Sequence, residues 1–194
     1  MLNFEAVRNK TVTINELAAP LTLADLRNLT NDMVGRMLAI IATGAEDDAA
    51  FQPVDPAAHD RHAATSAEVA LPWTLGHVVA HATASSEEAG ALAAELARGV
   101  PCHGRSRLEV HWSSLATLEA CRRRLEESRR MRLASLDMWP DAPHLDLLCE
   151  VIPRWPPVNA VGRFALGLMH DDSHLGQMAD IMRQAQAART PIVK

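Results

Sequence analysis

The sequence predicts an all-α fold, a four-helix bundle forming one domain over residues 1–194, and three observations carry that reading. Alanine and leucine are abundant while aromatic residues make up only 4% with no tyrosine, a mix that favours helix because unbranched side chains lose little rotamer freedom there. Four long stretches place apolar residues at the 3.6-residue helical period. No run shows the strict alternation of a half-buried strand.

The elements follow in order. Residues 1–20 hold no sustained period and end at Pro20, so they read as an extended lead-in. The first long helix opens at Thr22, whose hydroxyl can cap free backbone N–H groups, with Asp25 as its capping-box partner. Leu23, Leu26, Met33, Met37, Ile40 and Ile41 form its apolar stripe, and Gly44 ends the run. The stretch 45–72, with its acids, Pro53 and Pro56, is longer than a helix hairpin needs. Thr74 caps the second helix, which runs to about Arg98 before Gly99. A third is expected over roughly Ser114–Met138, with Leu115, Leu118, Leu125 and Leu136 inward. Prolines 140, 143, 153, 156 and 157 then interrupt the chain until a fourth helix opens near Asn159 and reaches about Arg189.

Charge and cysteine content exclude several function classes. A net charge of −5 argues against a nucleic-acid footprint, which needs clustered positive charge facing phosphates. The basic run Arg122, Arg123, Arg124, Arg129, Arg130 and Arg132 is interleaved with Glu119, Glu126 and Glu127 at helical spacing, so it reads as a solvated, ion-paired face. Three cysteines without a CxxC spacing suggest no disulfide framework, and hence a reducing compartment. With no signal-peptide pattern and no membrane-length apolar stretch, a cytoplasmic location away from membranes is expected.

The histidines carry the chemistry. His77 and His81 lie four apart on the second helix, His170 and His174 four apart on the fourth, and residues four apart share a helix face. Nine histidines in 194 positions would give about 0.4 such pairs by chance, so one pair alone is weak evidence and two are better. Neutral imidazole suits zinc, nickel, copper or iron. Two ligands from one helix and one from a facing helix would leave open positions on the ion, as catalytic sites do. The bland reading is histidines bonded to carbonyls or acids. His59, His62, His103, His111 and His144 lack partner spacing and are expected at the surface, while Trp73 reads as packing at the start of the second helix and Trp112, Trp139 and Trp155 as pocket walls or core, core before wall.

The flanking residues are more specific. Trp73-Thr74-Leu75-Gly76-His77-Val78-Val79-Ala80-His81 and His170-Asp171-Asp172-Ser173-His174-Leu175-Gly176-Gln177, followed by Arg183, together resemble the DinB/YfiT-like superfamily, whose relatives include mycothiol-dependent maleylpyruvate isomerases. The resemblance rests on Trp73 eight residues before His81, and on the HxxxH pair with Gln177 three residues beyond it. It implies His81, His170 and His174 as ligands of one divalent metal, zinc or nickel first, iron or manganese next. It also implies an up-down-down-up bundle with a long crossover, and a homodimer. His77 is open between fourth ligand, hydrogen-bond partner and proton carrier; the family pattern makes it a non-ligand lining the cleft. Gln177 can hydrogen-bond a water on the metal or serve packing. Asp171 and Asp172 point away from the His170 face and read mainly as exposed charges.

Where this chain has His170 the isomerases carry a glutamate, so their substrate does not transfer. The expected function is a metal-dependent enzyme, a hydrolase or a transferase using a low-molecular-weight thiol on a small-molecule substrate. The alternative is a non-catalytic, stress-related metal-binding bundle.

Overall fold

The computed structural model describes residues 2–60, 63, 65–104 and 109–190; His62 lies outside them. Every regular element among the described residues is a helix, with one isolated antiparallel bridge between Cys149 and Val158. No helix among them is long and apolar enough to cross a membrane.

The expected extended lead-in is instead two short helices, α1 (Phe4–Arg8) and α2 (Ile14–Ala18). Each is only five residues long, too short to display a period, but each has its own cap: Asn3 for α1, and a Thr13–Glu16 capping box for α2. Phe4, Val7, Ile14 and Ala18 are buried in the common core. Arg8 crosses to Asp172 (2.7 Å) and the Met169 carbonyl (3.3 Å), fastening the lead-in to the last helix.

Four long helices follow. In α3 (Leu23–Ile41) the Thr22–Asp25 capping box forms as the sequence predicts, and Leu26, Met33, Val34, Met37 and Ile41 are buried. A 3₁₀ turn at Glu46–Ala50 leads into the long connection. The next helix, α4 (Leu75–Ala97), is capped by Thr74, and its chain leaves through Gly99, whose φ of +89° needs a residue without a Cβ. The helix α5 (Leu118–Asp137) begins later than the expected Ser114, because Thr117 caps it and a separate 3₁₀ turn occupies Trp112–Ser114. The last, α6 (Ala160–Arg189), starts where Asn159 accepts from the Gly162 N–H (2.9 Å).

The long helices pack in a ring: α3 lies on α5 and α6, and α4 lies on the same two. Arg27 near the start of α3 reaches Leu133 and Asp137 near the end of α5. Just past α3, Gly44 abuts Leu118 at the start of α5 and Met182 late in α6. Along α4 and α5, Arg124 meets Thr83 and Glu87, and Ser135 meets Gly90. Along α4 and α6, Gly90 faces Phe164 and Ser86 faces Gly167.

The α4–α6 seam is lined by small residues. A Cβ added at Gly167 would stand 2.7 Å from the Ala89 Cβ, so the two backbones approach more closely than a larger pair would allow. This approach puts facing imidazoles within reach of each other one to two turns away.

Two expectations fail on non-local grounds. Cys102 and Cys149, 47 residues apart, form a disulfide, so the reading of no disulfide is corrected and its support for a reducing, cytoplasmic setting is withdrawn. Cys121 is free and buried, its thiol pushed up to about 12 by burial. The arginine run is not wholly a solvated face either. Arg122 and Arg129 pair locally or at the surface, but Arg124 and Arg132 are buried in ion pairs to neighbouring helices.

One glycine fixes the entry to α4. A Cβ at Gly76 would lie 2.4 Å from the Leu115 carbonyl oxygen, which is backbone and has no rotamer with which to yield. Gly76→Ala is therefore expected to cost about 1–3 kcal/mol in urea unfolding. It should also disturb tryptophan fluorescence, since Leu115 directly follows the Trp112 turn.

Candidate metal centre

The site is built from the second turn of α4 and the middle of α6. His81, His170 and His174 each offer a ring nitrogen, and these three atoms all lie within 4.8 Å of one another. The rings sit 4.7–5.2 Å apart, centroid to centroid, and His81 Nε2 is 3.0 Å from His170 Nε2. Three nitrogens about 2.0–2.1 Å from a tetrahedral zinc stand about 3.3–3.4 Å apart, so small ring rotations accommodate an ion. The donor set fits a divalent metal: neutral nitrogen ligands, half-buried, converging from two elements.

Neighbouring groups fix which nitrogen two of the rings present. His174 Nδ1–H donates to Gln177 Oε1 (2.8 Å), leaving the Nε2 lone pair for the cluster. His81 turns Nδ1 toward Glu109 Oε1 (3.4 Å), with the same effect. Gln177 thus hydrogen-bonds the His174 ring, a partner the sequence reading, open between a water on the metal and packing, did not name. Glu109 was missed, since it precedes the Trp112 turn with no spacing relation to any histidine.

The turn carrying His170 is clamped from both sides. Asp171 is 1% exposed, accepts from Arg132 Nη1 (2.6 Å) and lies 2.6 Å from Ser86 Oγ, so α4, α5 and α6 meet on one carboxylate. Burial pushes its pKa up, and Arg132 and Ser86 pull it back. Asp172 takes Arg8. Both acids are structural partners, and the exposed-charge reading of Asp171 is corrected.

His77 stands outside the three-nitrogen cluster. Its ring is stacked between Trp112 (4.2 Å) and Trp73 (5.4 Å), and its buried Nδ1 makes no hydrogen bond among the described residues. Trp73 also lies 4.9 Å from His81 and 6.2 Å from His174. Trp73 and Trp112 therefore wall the site, whereas Trp139 is core as expected. His59, His103, His111 and His144 are exposed, and His59 joins Asp55, Asp60, Leu71, Trp73, His174 and Gln177 around a cavity of about 250 Å³. The cavity opens beside the ligand cluster.

Burial holds the pKa of His174, and likewise that of His77, below the usual 6.5. As pH falls through 6.5 the unfolded chain therefore takes up protons before the folded one, and stability is lost on the acid side. The melting temperature of metal-free protein should fall between about pH 7 and pH 5. The slope should be shallower in His77→Asn, and an unchanged slope would refute the assignment.

The chain matches no protein-family model, no curated protein and no solved structure.

Proposed function

We propose that His81, His170 and His174 hold one divalent metal, zinc or nickel before iron or manganese, and that the protein is a metal-dependent enzyme acting on a small molecule in the adjacent cleft. The carrying observation is the convergence of three imidazoles from α4 and α6 beside a cavity of about 250 Å³. A bound ion of this kind supplies Lewis acidity and lowers the pKa of a coordinated water or thiol. The chain's own residues do the rest. Glu109 and Gln177 hold the ligand rings in orientation, Trp73 and Trp112 exclude water from one flank, and His77, stacked on Trp112, is the proton carrier we propose near bound substrate.

The reaction proposed is hydrolysis or transfer to a low-molecular-weight thiol, with membership of the DinB/YfiT-like superfamily and a homodimeric state. In support, Trp73, His81, the His170/His174 pair and Gln177 are gathered at one place. The up-down-down-up bundle is proposed on the pairwise contacts: α4 and α5 meet start to start, α3 and α6 end to end, and α3–α5 and α4–α6 in opposite senses. The second reading, a non-catalytic metal-binding module, predicts a saturated site; the open cavity at His174 favours the enzyme.

Elemental analysis of purified protein should find one equivalent of metal. Zinc at a hundredfold excess over its Kd should stabilise the protein by about 2.7 kcal/mol, a rise of about 5–10 °C in Tm. A cobalt-substituted sample should gain a sulfur-to-cobalt charge-transfer band on thiol addition. Metal binding without that band would dismiss the thiol reaction and leave the metal site standing.

A further inference from the structure

The disulfide and the metal cluster are joined by one short piece of chain. Cys149 is fixed by a two-way backbone bridge to Val158 (2.8 and 2.9 Å), immediately before the Asn159 cap of α6. Its bond to Cys102 anchors the connection between α4 and α5. Seven residues beyond Cys102 comes Glu109, which reaches His81, and then Trp112, which stacks on His77. We propose that the Cys102–Cys149 disulfide is a redox clasp that holds the 109–112 segment against the histidine cluster, so that its reduction by a dithiol loosens the segment and weakens metal binding.

The bond is open to exchange. Cys102 is exposed, and His103 beside it is held toward its cationic form by Glu95 (2.6 Å). A neighbouring imidazolium favours the thiolate on which exchange depends. An incoming thiolate attacks Sγ of Cys102, and Cys149 leaves as a thiolate and takes a proton. The second thiol of the reductant then displaces Cys102. Two electrons and two protons pass to the protein, and the reductant becomes its own disulfide.

The size of the effect follows from loop closure. Without the clasp, about 14 residues separate the end of α4 at Ala97 from Trp112; with it, about nine separate Cys102 from Trp112. That lengthening disfavours the closed position of the segment about twofold. The metal arm of the proposal rests on the metal reading above; the clasp itself does not.

Hydrogen exchange on metal-free protein tests the clasp. Amides of 109–115 should exchange about twofold faster after treatment with a phosphine reductant, and in Cys102→Ser/Cys149→Ser, with α3 and α6 unchanged. Equal exchange in the two redox states would overturn the proposal. Chelator competition then reads zinc affinity in the oxidised protein and the double-serine variant, which lacks the new thiols. A Kd weaker by about twofold supports the coupling, and an equal Kd with a loosened segment overturns it. If neither form binds zinc, the metal reading fails and the exchange result alone decides the clasp.

Discussion

Alanine at His174, and separately at His81, is expected to abolish stoichiometric metal binding, with affinity falling by more than a hundredfold. Each ring supplies one of the three protein donors that the cluster has among the described residues. Removing groups that merely orient a ligand already costs about 10–100-fold, so losing the ligand costs more. Gln177→Ala gives the comparison: it frees the His174 Nδ1 side, keeps the donor, and should weaken zinc by about tenfold. Both histidines are only half-buried, so the variants should fold, which far-UV circular dichroism will check. Elemental analysis and chelator competition read the outcome. If both alanine variants kept one equivalent of metal, the assignment of ligands would be wrong.

The largest effect on stability is expected at Arg132. The Arg132–Asp171 pair is sealed among α4, α5 and α6, with side chains 3% and 2% exposed. Arg132→Ala leaves an uncompensated buried carboxylate and should cost about 3–5 kcal/mol. Against a total stability of about 5–15 kcal/mol, that is a large share or all of it. The double change Arg132→Met/Asp171→Leu removes both charges and should return to near wild-type stability, because buried pairs gain little over well-packed apolar side chains. Urea unfolding of the three proteins tests this. A loss below about 1 kcal/mol in Arg132→Ala would show that the carboxylate finds another partner or water.

The predictions draw on two kinds of information, and only one is legible in the sequence. Helix boundaries set by local chemistry could be read: Thr22 with Asp25, Thr74, Asn159 and Gly99 act where their side chains or missing Cβ predict. So could the two HxxxH pairs, because that spacing on a helix fixes a shared face, whereas the choice of His81 over His77 comes only from the resemblance of the flanking residues. The five-residue helices α1 and α2 escape a periodicity test, which needs several turns. Arg124 and Arg132 look like their exposed neighbours in sequence, since their deciding partners Glu87 and Asp171 come from other helices. Glu109, Trp112 and the Cys102–Cys149 bond depend on where a proline- and glycine-containing connection lies, and no spacing encodes that.

The hydrogen side chain of Gly167 has a consequence for selectivity. It sets how near α6 comes to Ala89 on α4, and His170 lies three residues further along the same helix. An added methyl there would spread the two backbones and widen the gap between opposing imidazoles without altering any donor. If the three imidazoles hold a metal as proposed, the preference among cations of different radius would be adjustable from a position that never touches the ion, with Gly167 as a spacer gauge between the opposing rings.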